Sequence, residues 1–590
     1  MTIQRTCILL TAAFVLIGCE ETNTQIVEIQ IPPPPPPQST PLVIDVAASQ
    51  LDGDFLLAGG AFANSVYQSG DLFLRDQGTG TLVELGNTYD HAYQVIVVNG
   101  MYDSVYQHFT GGDVPANKDG VIAPDLAVNV PSTVDIDVPV ASVRPLFLLD
   151  SAPFPASVYN HASFWLQPVD TDELIFLGDS HVPNDIVNVM PGNYHVIYSH
   201  QQGDQVPANQ NARVMSDVAI SGSAALNIDV SSADARTTFT LDGGAFPQSQ
   251  YTAAKFYLTD GTGNEVFLGN SFDAPASISV IAGTYAIEYR HQQGDTIPIN
   301  KATVVRQGLD CNSGCLASAD VQSATLDVNA TLNGQTFPVS EYQDGILELY
   351  DATSDSYSLL GNTHSSFAGL VVIPGTYDIV YSHETGDAVP QNIRGTVSAG
   401  YVIAGNQQLD LDVTGHLVTG SITLNTAAFP VSQYNTADFL LRGPSSAEDI
   451  FLFASHAQDE PAMFLPGNYD LIYACHNCIE IPFNSYATIV SGFDVNADAV
   501  VSTNLSSARM EVSATLNGAP FDPSIYQSGL IWGGIGNDDA VELTRTNVST
   551  PDIILLTGDY NFYYQHKNGD QVPANTWVLV DQQTIAAPPN

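Results

Sequence analysis

The chain has 590 residues, too many for one domain and enough for about four on length alone. Hydrophobic residues make up 44%, enough for packed cores, while 63 acids against 15 bases leave a net charge of −48. That field repels nucleic acid and anionic membrane surfaces and makes both poor partners. The acidity reads as solubility, and the alternative of divalent-cation binding has no EF-hand spacing behind it.

In chain order, the first nineteen residues are MTIQRTCILLTAAFVLIGC. Arg5 supplies a basic start, and Thr6 to Ile17 form an apolar run that suits a signal peptide and is too short to span a membrane. Leu16-Ile17-Gly18-Cys19 resembles the bacterial lipobox, in which the signal is cut before a diacylated cysteine. The resemblance implies that residues 1–18 are removed, that Cys19 is the lipid attachment site, and that the lipid is the only membrane contact. Pro32 to Pro37 then read as a stiff polyproline spacer, so that 19–41 form a tether.

Beyond the tether the sequence repeats. A first marker, F-(P)-x-S-x-Y, ends at Tyr67, Tyr159, Tyr251, Tyr342, Tyr434 and Tyr526. A second, G-x-Y-x-x-x-Y-x-H, ends at His108, His200, His291, His383, Cys475 and His566. A third, an acidic strand such as VIDV, places Asp45, Asp137, Asp229, Asp320, Asp412 and, in the sixth copy, Asn504. All three hold one period of about 92 residues. Because an acidic strand precedes the first FANSVY and none follows the last VPAN, the units are set to begin at that strand. The boundaries are 42–133, 134–225, 226–317, 318–408, 409–500 and 501–590.

In the third unit NIDV, TTFTL, KFYL, EVFLG, SISVI, YAIEYRH and ATVV read as strands, from their alternation and their β-branched and aromatic residues. Seven short strands per unit with turn signals between them predict a β-sandwich. Constant spacing without long linkers predicts an extended rod of six. MPGNYHV, IAGTYAI, IPGTYDI and LPGNYDL resemble the turn entering a late strand of transthyretin-like sandwiches, among them carboxypeptidase regulatory-like and Cna-B-like modules. The fold class is therefore all-β: six tandem seven-stranded Ig-like or transthyretin-like sandwiches. Cna-B-like modules often carry a Lys–Asn crosslink. Here the only lysines are Lys118, Lys255, Lys301 and Lys567, so units without lysine cannot have one.

Residues two apart on a strand share a face, so Tyr194, Val196, Tyr198 and His200 form one core-facing row that ends where a loop begins. That loop is H-x-x-G-D-x-V-P-x-N. His108, His200, His291, His383 and His566 are read as structural residues of it. The competing reading, metal or ligand binding, would pair His181 with His200 and His364 with His383, but the first and third units have Tyr89 and Phe272 there. The fifth unit replaces His and Gly together by Cys475 and Cys478, as a disulfide tying the loop would require. Cys311 and Cys315 lie within one loop, and local pairing is the most economical of three connectivities.

No catalytic motif is found: no G-x-S-x-G, H-E-x-x-H, P-loop or helix-opening G-x-G-x-x-G. The reading is non-enzymatic, with no catalytic residue, metal or cofactor: a lipid-anchored cell-envelope protein serving a structural, adhesive or display role. Envelope polysaccharides or surface proteins are the expected partners. The alternative is an array of carbohydrate- or peptide-binding modules, which requires a concave or aromatic exposed patch shared by several units. The outward positions legible in the sequence are too variable to reveal one. A hydrolase with an unrecognised carboxylate site is a third reading.

Overall fold

The computed structural model describes residues 39–587 apart from 183–184, 366, 433, 444–448 and 537. The signal segment, Cys19 and the tether up to residue 38 lie outside the described residues, while Thr40 and Pro41, read as the end of the tether, belong to a strand. Ser39–Asn590 is one compact unit built almost wholly of strands.

The third copy shows the plan. Its strands are β1 (Ser232–Leu241), β2 (Gly244–Ala245), β3 (Ala253–Thr259), β4 (Glu265–Asn270), β5 (Ser277–Ile281), β6 (Thr284–Gln293), β7 (Thr303–Asp310) and β8 (Cys315–Val321). One sheet runs β4-β3-β6-β7, antiparallel throughout. In the other, β1 pairs antiparallel with β5 and with the short β2, and parallel with β8. Period-2 alternation sends Phe256, Leu258, Ile287 and Tyr289 inward from the first sheet, against Ala235, Val280, Ala317 and Val321 from the second. Tandem all-β sandwiches of seven strands, plus one two-residue strand, are what the sequence led us to expect.

Two expectations are corrected. The first concerns phase. The acidic strand belongs to the sandwich before it: Ala224–Val230 pairs with Ala141–Leu149, and β8 pairs with β1. Leu226, Ile228 and Val230 are buried there while Asn227 and Asp229 face out, so the strand's apolar face completes the preceding core. Each core therefore ends with an acidic strand, and packing moves each boundary one strand beyond 42, 134, 226, 318, 409 and 501.

The second concerns shape. The sixth core takes its acidic strand from the other end of the chain: Thr40–Val46 pairs in parallel with Ser507–Leu516, burying Leu42, Ile44 and Val46. Asn517 then bonds the N–H and C=O of Ala48, much as Asn425 bonds the N–H and hydroxyl of Ser507 one joint earlier. The six sandwiches close into a ring rather than extend as a rod. Closure gives the sixth sandwich a strand that an open array would leave missing, with the edge it exposes.

Candidate functional site

The repeated loop was the sequence's main candidate, and its side chains are committed to scaffold. The tyrosine two residues before each His is buried and donates to the carbonyl of the loop proline. Tyr198 reaches Pro207 at 2.6 Å and Tyr381 reaches Pro390 at 2.9 Å, and the other four copies repeat this. Burial raises the pKa of these phenols, so they stay protonated donors. The main-chain N–H of His200 donates to Asn209 O at 2.8 Å, closing the loop, and the same bond recurs at His108, His291, His383, Cys475 and His566.

The imidazoles are partly buried. Nδ1 of His108, His383 and His566 lies 2.9, 3.1 and 2.9 Å from the same proline carbonyl, whereas Nε2 of His200 meets Gly203 O at 2.7 Å. Burial lowers the pKa of His108, His291 and His383, against the opposing pull of the carbonyl. The suggested His pairs are engaged elsewhere: His364 bonds Asp344 at 2.7 Å and His181 packs on His161 with ring centroids 4.4 Å apart.

The asparagine that ends the loop carries the joint between sandwiches, a role the sequence reading did not assign. Asn300 is fully buried; its amide donates to Tyr377 Oη at 3.0 Å and its carbonyl accepts from Ile373 N at 2.7 Å, both in the next sandwich. Tyr377 in turn donates to Ile373 O. Asn117, Asn209, Asn392 and Asn484 repeat the clasp. Asn575 makes it with Tyr102 and Val98 of the first sandwich, so the closing joint is equivalent to the other five. Thr79 and Thr81 add bonds to Trp577 O across it.

The fifth copy explains its own exception. Gly203, Gly294, Gly386 and Gly569 hold φ near +94, +100, +93 and +101°, and a Cβ at Gly203 would come within 2.4 Å of Tyr159 O. Cys478 is not at positive φ, so the loop takes another course, tied by the Cys475–Cys478 disulfide. The Tyr473–Pro482 bond and the Asn484 clasp survive. Cys311 and Cys315 are also bonded to each other.

The acidic marker is structural too. Asp229 accepts from Ser151 N at 2.9 Å and Asp320 from Gly243 N at 2.8 Å, capping the tight turn after the first strand of each sandwich. Asn504 does the same for Thr426 N, so the site requires an acceptor and not a charge.

One repeated residue faces outward. Tyr67, Tyr159, Tyr251, Tyr342, Tyr434 and Tyr526 are 69–77% exposed, whereas the Phe that opens each marker is buried. Each tyrosine sits on a turn in which its N–H donates to the serine two residues before, at 3.1–3.2 Å. The residue after it braces the His loop: Gln68 accepts from Asp113 N, Gln343 from Ala388 N and Gln527 from Gln571 N. The backbone presenting the ring is thereby fixed while the ring stays free. A six-fold exposed aromatic position is thus present, where the outward positions legible in the sequence were too variable to reveal one. The three tryptophans pack locally, Trp165 with Phe176, and Trp532 and Tyr563 with Trp577.

No family model and no curated protein matches the chain. Among solved structures it is similar to the Bacillus anthracis TIE protein (13% identity, 59% of this chain and 68% of that one, TM-score 0.13). It is also similar to a streptococcal ancillary pilin (9%, 46% and 99%, 0.17). A third is a pair of B repeat units from the collagen-binding protein of Staphylococcus aureus (9%, 62% and 98%, 0.12). At these values the resemblance carries no argument.

Proposed function

We propose that this is a non-enzymatic, lipid-anchored cell-envelope protein whose ring of sandwiches presents six equivalent aromatic contacts for adhesion to an envelope polysaccharide or surface protein. The observation that carries the reading is the six-fold exposure of Tyr67 and its equivalents on a frame whose other repeated residues are buried or bonded. A phenol ring offers an apolar face and a polar tip at little entropic cost, which suits contact surfaces. Six weak contacts on one rigid body reinforce one another by effective concentration, so single-site affinity can be low. The Leu16–Cys19 motif supports the anchor.

The test replaces the six tyrosines by serine, one, three and six at a time, and measures adhesion of the unlipidated protein to native envelope and to a glycan array. Because the rings are exposed, melting temperature should hold within a few degrees. Adhesion should fall more steeply than the number of sites removed. Undiminished adhesion of the six-fold variant would overturn the proposal.

A further inference from the structure

The third sandwich contains a cavity of about 320 Å³ at the open side of its first strand, lined by Thr237, Phe239, Thr240, Gln248, Asn270 and Asp273 among others. What belongs there is indicated by its siblings. In the fifth copy the residue equivalent to Phe239 is Ile422. Its N–H donates to Gln458 Oε1 at 2.6 Å, and its carbonyl accepts from Gln458 Nε2 at 3.1 Å. A side-chain amide there plays the part of a neighbouring strand. In the first copy the equivalent Phe55 N donates to the carbonyl of His91 at 2.8 Å.

The third copy supplies neither. Thr237 N is engaged by Ala276 O at 2.9 Å, and Leu241 pairs with Gly244. Phe239 lies between them on the same side of β1. Among the described residues no loop carbonyl or side-chain amide takes up its N–H, and its C=O, beside the turn strand that ends at Ala245, keeps a lone pair for a second donor, as Ile422 O does for Gln458. An amide and a carbonyl side by side on a strand edge recognise one group best: another amide, which donates and accepts at once. A cavity of about 280 Å³ lies at the same place in the fourth copy, lined by Ala330, the equivalent of Phe239.

We propose that the cleft of the third sandwich binds the carboxamide side chain of a glutamine or asparagine in a peptide segment of a partner protein. The main chain of Phe239 makes the paired hydrogen bonds. The Asp273 carboxylate in the wall and the net charge of −48 favour a segment with a basic residue beside the amide. A peptide is favoured over an acetamido sugar because the sibling occupant, Gln458, is itself a peptide side chain. This site is separate from the tyrosine ring, so either proposal can fail alone.

The test uses the full unlipidated chain labelled with [15N]phenylalanine. The Phe239 amide signal is identified by its disappearance in Phe239→Leu. Titration with acetyl-Ala-Gln-Lys-N-methylamide, in which the Gln side chain is the only primary carboxamide, should shift that signal saturably in the millimolar range, as befits a single anchor. The same peptide with Met in place of Gln, matched in length but lacking the hydrogen-bonding pair, should bind about tenfold more weakly. No shift at millimolar peptide, equal shifts with both peptides, or a shift with N-acetylglucosamine alone would each overturn the proposal.

Discussion

At the residue scale, repetition in this protein marks two opposite things. Asn300 and its five equivalents recur because each is buried between sandwiches with both ends of its amide engaged. Asn300→Ala leaves Tyr377 Oη without a donor and Ile373 N without an acceptor in a buried joint. A loss of roughly 2–4 kcal/mol is expected, read from the urea midpoint, with the same change at exposed Asn129 as a near-neutral control. The histidines give a pH signature. Burial depresses the folded-state pKa of His108, His291 and His383 below the unfolded value of about 6.5, so the unfolded chain binds more protons as pH falls through that interval. Their stability is complete above that value and is lost as pH drops toward the depressed one. Urea midpoints at pH 8 should exceed those at pH 5, and His383→Gln should remove part of the difference. The core-facing tyrosine row was legible from strand alternation. The roles of Asn300 and of the exposed Tyr67 series were not, because a polar loop residue and an aromatic one look alike in sequence whichever way they face.

At the scale of elements, the fifth loop separates path from purpose. Its Tyr473–Pro482 bond and Asn484 clasp match those of the other copies, although Cys475 and Cys478 give it another backbone course. Cys475→His with Cys478→Gly should therefore restore the common loop. In a Cys311→Ser/Cys315→Ser background, which removes the other disulfide, the double variant should fold and melt identically with and without reductant. The same background with Cys475–Cys478 intact should lose about 2 kcal/mol on reduction of that small ring, measured in the denaturation midpoint. Strand positions were legible from alternation and turn residues. The partner of the acidic strand was not: NIDV has the same pattern whether it opens one sandwich or closes the one before, and only the packing of Leu226, Ile228 and Val230 into the preceding core decides.

At the scale of the molecule, strand Thr40–Val46 determines the shape. It buries Leu42, Ile44 and Val46 in the sixth core, a contribution of roughly 6–9 kcal/mol at about 2–3 kcal/mol per side chain. Ile44→Asp places a charge where no water reaches and should release that strand. Small-angle X-ray scattering should then show a larger maximum dimension than the parent's. Amide exchange should speed up across Ser507–Leu516 before the other five sandwiches respond. An unchanged scattering profile would mean that the ring is held by the Asn575 clasp without the strand. The sequence by itself determined the repeat, its period and the all-β sandwich, because alternation, turn chemistry and three spaced markers are local properties of the chain. The tertiary structure alone decided the phase of the units and the closure of the ring. Those depend on which copy a strand packs against, and every copy offers the same edge.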